Sequence, residues 1–513
     1  MLRNVRNRGL NRHAWRQVNT IASLLIVLTL SACESADTPA TEVASRAPLT
    51  LHRSLQARAN IVPNLNTARN VILFIGDGMG VTTVTAGRIF DGQSKGMSGE
   101  ENVLPFETFP NLALIKTYAD NQMVADSAGT ASAINTGVKT KAGVISIGPE
   151  ADRRDCDGAL AYPLTTLGEL AEQKGKATGI VTTARITHAT PAAVYAHSAE
   201  RYWESNLYMS GEDWQKGCRD IAYQLAHFSS GDGIEVMFGG GRRAFYGENG
   251  GGRRLDADDD LVSDWQNGGP NRRYITTADE LDSLKSGEQV LGIFANSHLT
   301  YVAEREAESK EPELAELTAK AIDLLEDSDN GYFLMVEGAR IDHGHHDGIA
   351  GYALLEAQAF FDAVAVALEK VDLSETLVLV TADHSHVFTL GGYTTRGNPI
   401  LGLVVENDVH GHPNSGPMIA DDGLPYTVLG YANGPGGVTE SPRPYPDTGI
   451  DAVQQATLPL SALEIDGTIW PEESHGGEDV ALYANGPWSH LVGGVLEQNA
   501  IFHIITYAFG WPE

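Results

Sequence analysis

Four apolar runs, each broken abruptly by a polar cluster, limit what this chain can fold into. Residues 71–75 read Val-Ile-Leu-Phe-Ile and stop at Gly76-Asp77-Gly78-Met79-Gly80. Residues 177–183 lead into Ala184-Arg-Ile-Thr-His188, residues 332–336 end at Glu337, and residues 377–380 end at Thr381-Ala-Asp383-His384. Apolar residues without alternation suit strands buried on both faces, as in a parallel sheet. Between them, stretches 164–174 and 312–326 space their apolar residues three and four apart, as a helix requires. The alternation predicts an α/β fold: a doubly wound, mostly parallel central sheet with helices on both faces. Binding groups in such sheets collect beyond the carboxyl ends of the strands, where all four polar clusters fall.

Residues 387–473 break the pattern. They are rich in Gly, Pro and Asn, and read as an irregular insertion with one apolar strand at 425–431. The α/β pattern resumes at 479–483 and closes with a helix over 498–508. The core is therefore assigned to residues 61–386 and 474–513.

The N-terminus carries an address. Arg3, Arg6, Arg8, Arg12 and Arg16 precede an apolar stretch at 21–30, too short to span a bilayer permanently, so residues 1–33 read as a secretory signal. The signal ends in Leu30-Ser31-Ala32-Cys33, which is either a lipobox with Cys33 as the lipidated residue or a plain cleavage region. Residues 34–60 then form a tether. This predicts an exported protein, periplasmic or at the cell surface. Formal charge is −31, and without the first 33 residues about −36, a surface that repels nucleic acid. Once Cys33 is set aside, Cys156 and Cys218 remain. In an oxidising compartment they are either a disulfide or two buried thiols.

Taken singly, the polar residues at the strand ends say little. Asp77 could cap a helix, so could Ser127 in Asp126-Ser-Ala-Gly-Thr-Ala131, and Asp383-His384 could form a turn. Asp342-His343-Gly344-His345-His346 is more demanding. Asp342 and His346 share one face if the stretch is helical, and carboxylate with imidazole is a zinc-ligating set.

Taken together, these stretches resemble the alkaline phosphatase family. The resemblance rests on Gly76-Asp-Gly-Met-Gly80, Asp126-Ser-Ala-Gly-Thr-Ala131, His188-Ala-Thr-Pro191, Val336-Glu-Gly-Ala339, Asp342–His346, Thr381-Ala-Asp-His384 and Ser474-His-Gly-Gly-Glu-Asp479, in the family's order. It implies a phosphate monoester hydrolase that works through a phosphoserine at Ser127, with two zinc ions and one magnesium. Asp342, His346 and His475 would hold the first zinc. Asp77, Asp383, His384 and Ser127 would hold the second, and Asp77, Thr190 and Glu337 the magnesium. Arg201 matches the phosphate-binding arginine, oriented by Asp126. The resemblance also places His343 at the substrate and His188 behind the magnesium.

Several features are similar to the animal members in particular. His188 and His343 stand where enteric bacterial members carry Asp and Lys, which implies a more alkaline optimum and a looser magnesium site. The stretch Gln215-Lys-Gly-Cys218 implies a Cys156–Cys218 bridge. The insertion 387–473 resembles a crown domain that packs across a homodimer. Animal members also hold calcium through an acidic residue after a Phe; here Phe294 precedes Ala295, so that fourth site is not expected. Sulfatase chemistry is disfavoured, because no Cys/Ser-x-Pro-x-Arg motif surrounds Ser127.

Overall fold

The computed structural model describes residues 60–463 and 468–511. The signal at 1–33, Cys33 and all but the last residue of the tether lie outside the described residues. At the centre is Asn70–Gly76 (β1), buried along its whole length as its unalternating Val, Ile, Leu and Phe require. The other strands of its sheet are Asn111–Lys116 (β2), Ala177–Arg185 (β3), Val236–Gly240 (β4), Arg272–Ile275 (β5), Gln289–Ile293 (β6), Tyr332–Gly338 (β7), Thr376–Ala382 (β8), Val480–Asn485 (β9) and Gly494–Glu497 (β10). They pair in the order β10-β2-β9-β8-β1-β7-β3-β4-β6-β5. Only β9 runs antiparallel to its neighbours, β2 and β8. The mostly parallel sheet is as expected, but the segment at 479–483 belongs to a strand that runs against the rest.

Register explains why one end of the sheet becomes chemical. Gly76 lies beside Gly338 and Ala382, and Glu337 lies beside Ile75 and Thr182. Asp77 and Asp383 therefore leave the sheet at the same level, and Glu337 lies two residues behind them along the strand direction. Strand order also turns at β1, which sits between β7 and β8, and open α/β sheets bind ligands at such a switch point.

The predicted helices are present but trimmed. Leu314–Leu325 opens with a capping box formed by Glu313 and Glu316, and buries Leu317, Ala321, Ile322 and Leu325. It packs on β3, where Gly179 leaves room: a Cβ there would stand 2.7 Å from Leu325 Cδ1. Leu167–Gln173 is capped by Thr166 and packs against β3 and β7. The long helix Ala350–Lys370 buries Ala353, Ala357, Phe360 and Val364 and also carries the buried Glu356.

Glu356 accepts a hydrogen bond from Val302 N at 2.7 Å. Burial pushes its carboxyl up to about 7, although the Val302 amide and the charges of Arg340 and Arg305 oppose this. A raised acid favours the folded state at low pH, and that advantage is lost as pH rises from the unfolded value near 4.5 through 7. Glu356→Gln keeps an acceptor for Val302 and removes the charge. Urea unfolding is expected to show it roughly 1–3 kcal/mol more stable than the parent at pH 8 and little changed at pH 5. A gain of equal size at both pH values would refute the buried-charge explanation.

The region 387–473 is more regular than its composition suggests. Phe388–Leu390, Leu429–Asn433 and Ala456–Leu458 form a three-stranded sheet, and Ser461–Leu463 pairs with Ile469–Pro471. The single strand expected at 425–431 instead begins at Leu429, because Pro425 and Thr427 are taken up in bridges to Ile419 and Leu403. Ile400, Val404, Leu429 and Tyr431 share a buried cluster with Ala86, Ile89, Ala350 and Leu354 of the core helices.

Cys156 and Cys218 form a disulfide across 62 residues of chain. They sit in a satellite cluster with Ile147, Trp203 and Met209. Closing a loop of that length restrains the unfolded chain, so Cys156→Ser with Cys218→Ser is expected to cost about 2–4 kcal/mol. Denaturant midpoints measured without reductant would test this, and unchanged midpoints would count against it.

Candidate active site

The expected site residues converge at the carboxyl edge of the sheet. Asp77 follows β1 and is not a helix cap: Gly80 is the N-cap of the next helix, Val81–Ser94, and makes no side-chain bond. Gly78 turns the chain with φ of 69°, and a Cβ there would lie 2.4 Å from His386 Nε2. Only glycine satisfies both conditions.

Ser127 is the first residue of the helix Ser127–Thr136, and the cap is Asp126. Asp126 Oδ1 accepts from Gly129 N at 3.2 Å, while Oδ2 accepts from Arg201 Nη1 at 3.0 Å. One carboxylate thus fixes both the serine's helix and the guanidinium. Burial raises the Asp126 pKa, but the Arg201 charge and the amides prevail and hold it below the usual range. A helix N-terminus beside an arginine is a ready anion site.

Around Ser127 lie two groups of ligand atoms. In the first, Asp342 Oδ1 stands 3.3 Å from His346 Nε2 and 3.5 Å from His475 Nε2, and the two imidazole nitrogens are 3.1 Å apart. In the second, His384 Nε2 lies 3.1 Å from Ser127 Oγ, 3.3 Å from Asp77 Oδ1 and 3.4 Å from Asp383 Oδ2. Ligands on one tetrahedral ion with bonds near 2.0–2.1 Å stand about 3.3 Å apart. Both groups have that spacing.

The histidine tautomers sharpen the point. His346 Nδ1 faces Glu473 O at 2.6 Å and His475 Nδ1 faces Ala125 O at 2.8 Å. A carbonyl only accepts, so each Nδ1 carries hydrogen and the neutral rings turn lone pairs toward each other at Nε2. Only a proton or a cation between them removes that repulsion. Burial disfavours a protonated His346, yet the Asp342 carboxylate pushes it up to about 10. A metal would therefore have to displace that proton.

Asp342 and His346 do share one face of a short helix, Arg340–His346. A third group is all oxygen. Asp77 Oδ2, Glu337 Oε1 and Thr190 Oγ1 are buried with no hydrogen-bond partner, while Thr182 donates to the other Glu337 oxygen. Burial first, then the charges of Asp383, Asp342 and Glu337, raise the Asp77 carboxyl well above its ordinary range. Such a crowd of carboxylates calls for cations.

His188 Nε2 lies 3.4 Å from Arg201 Nη2, and its Nδ1 is buried without a partner. His343 Nδ1 lies 2.9 Å from Arg340 Nη1, and its ring packs 4.2 Å from that of His298. Ser127, Arg201, His188, His343, His346 and His475 all line one cleft of about 690 Å³. Arg243, Arg253 and Trp470 also reach it, although no motif along the chain singles them out.

His386 was also missed. Its Nε2 lies 2.7 Å from Asp342 Oδ1 and its Nδ1 contacts Glu473 Oε2, so it braces Asp342 from behind. The available signal was its position two residues after His384. Glu473 showed none, because its role depends on the antiparallel pairing of His475 with His386.

Comparison with known proteins gives a consistent picture. The family model described as alkaline phosphatase matches residues 68–511. The tissue-nonspecific alkaline phosphatase isozyme of Gallus gallus is 42% identical over 467 residues, covering 87% of this chain and 85% of that protein. The Homo sapiens isozyme is 41% identical over 462 residues, covering 87% and 84%. Among solved structures, the alkaline phosphatase of Thermus thermophilus aligns with a TM-score of 0.62 at 23% identity, covering 90% of this chain and 95% of that one. That of the Antarctic bacterium TAB5 aligns at 0.59 and 24%, covering 88% and 100%, and a variant of it binds magnesium.

Proposed function

Because the chain belongs to the alkaline phosphatase family, we propose that it hydrolyses phosphate monoesters through a covalent phosphoserine at Ser127. The two ligand groups with tetrahedral spacing, the second of which includes the Ser127 hydroxyl, carry this reading. Asp342, His346 and His475 would hold one zinc, Asp77, Asp383, His384 and Ser127 a second, and Asp77, Glu337 and Thr190 a magnesium. Mixed nitrogen and oxygen suits zinc, and oxygen alone suits magnesium. These ions would supply Lewis-acid stabilisation to the oxygens that enter and leave phosphorus.

The chain's own groups do the rest. Ser127 Oγ attacks phosphorus as the alcohol departs with its oxygen, and water then cleaves the phosphoserine to release phosphate and restore the hydroxyl. Arg201, held in place by Asp126, binds two phosphoryl oxygens as charge builds on them. The amides that open the Ser127–Thr136 helix favour the same anion. His343 borders the substrate, and His188 supports Arg201 from behind.

The signal-like N-terminus supports export, with Cys33 as a lipid anchor. The region 387–473 is proposed as the crown of a homodimer, supported by exposed apolar side chains such as Tyr393 and Val409. The direct test compares p-nitrophenyl phosphate with bis-p-nitrophenyl phosphate at alkaline pH. The reading expects a strong preference for the monoester. A preference for the diester would assign the site to diester hydrolysis instead.

A further inference from the structure

We propose that Glu172, Asp232 and Glu235 form a calcium site at the end of the sheet opposite the active centre. Glu172 lies in the last turn of the helix Leu167–Gln173, Asp232 lies in the loop before β4, and Glu235 immediately precedes β4. The three contribute carboxylate oxygens that all lie within 4.8 Å of one another. Ligands on opposite sides of a calcium ion, each bonded at roughly 2.4 Å, stand about 4.8 Å apart. The set therefore fits around one such ion.

The second observation is Glu172 itself. It is only 3% exposed, and neither of its carboxylate oxygens makes a hydrogen bond of ordinary geometry. The nearby Thr178 hydroxyl and Gly233 amide soften the effect of burial but do not offset it, and the charge of Glu235 adds to it. Thr178 Oγ1, also buried, is likewise without a hydrogen bond of ordinary geometry. Glu235 offers only one engaged oxygen, Oε2, which accepts from Thr178 N at 2.7 Å. Arg272, which passes beside Gly233, is held by Gln289 Oε1 and Trp265 O rather than by the carboxylates. No ion pair to a Lys or Arg reaches Glu172 or Glu235 among the described residues.

The backbone is shaped to bring these groups together. Gly231 has φ of 58°, and a Cβ there would be 2.6 Å from Glu172 Oε2 and 2.8 Å from its carbonyl oxygen. The loop is thus pressed onto Glu172. All-oxygen donors of uneven geometry suit calcium better than magnesium, which demands a near-ideal octahedron. The competing arrangement is a proton shared between Glu172 and Glu235, and it needs no metal.

The experiment uses the full chain loaded with zinc and magnesium, together with Glu172→Gln and Asp232→Asn. Asp232 is exposed, so its variant folds even if the buried substitution does not. Calcium content is measured by equilibrium dialysis, and Tm is followed with and without calcium chloride. The parent is expected to bind one more calcium per chain than either variant. Its Tm should rise on the order of 5 °C at calcium about a hundredfold above Kd, a shift absent from both variants. Turnover of p-nitrophenyl phosphate should be the same in all three. Equal calcium binding by the parent and Asp232→Asn, or a parental Tm indifferent to calcium, would overturn the proposal in favour of the shared proton.

Discussion

Replacing Ser127 by alanine is expected to lower monoester turnover about 10⁴- to 10⁶-fold while leaving Tm within a degree or two of the parent. The two halves of this expectation have different origins. Ser127 is the first residue of its helix, and Asp126 and Thr130 make the local capping and side-chain bonds there. Its Oγ reaches only ligand atoms: His384 Nε2 at 3.1 Å and Asp77 Oδ1 at 3.5 Å. Removing it therefore costs the fold little and the chemistry its nucleophile. Quench trapping with labelled substrate should capture phosphate on the parent but not on the variant. A variant that retains turnover would mean water attacks phosphorus directly.

Stripping divalent ions with a strong chelator is expected to abolish turnover and lower Tm on the order of 10 °C, both restored by zinc and magnesium. Asp77, Glu337, Asp342 and Asp383 are all buried at one sheet edge, so their mutual repulsion is not screened by solvent. The proton held between His346 Nε2 and His475 Nε2 at neutral pH is a second cost, because burial disfavours that charge. Ions bound only by the folded state relieve both effects, which makes metal loading a stability term as well as a catalytic one. Differential scanning calorimetry on the chelated and reconstituted protein measures it. An unchanged Tm after verified metal removal would show that protons alone balance the cluster.

Much of this was legible along the chain. β1, β3, β7 and β8 announced themselves because strands buried on both faces need unbroken apolar runs. The polar residues just after them marked the chemical edge of the sheet, and the spacing of Asp342 and His346 anticipated their shared helical face. The outer strands were harder. β2 is half exposed, and its burial alternates only in part. β5 is only Arg272–Ile275, with three of its four residues partly exposed. Neither carries the continuous apolar signal of a central strand.

The sequence by itself determined which segments become central strands and helices, and which residue types stand at their ends. Those are local properties, set by side-chain periodicity and chemistry. Tertiary structure alone decided the strand order, the antiparallel β9, the sheet within 387–473, and the placing of His386 between Asp342 and Glu473. It also decided that Glu172 meets Asp232 and Glu235 some sixty residues away. Such contacts depend on strand register and on loops that bring remote residues within a few ångströms, and no periodicity along the chain records that distance.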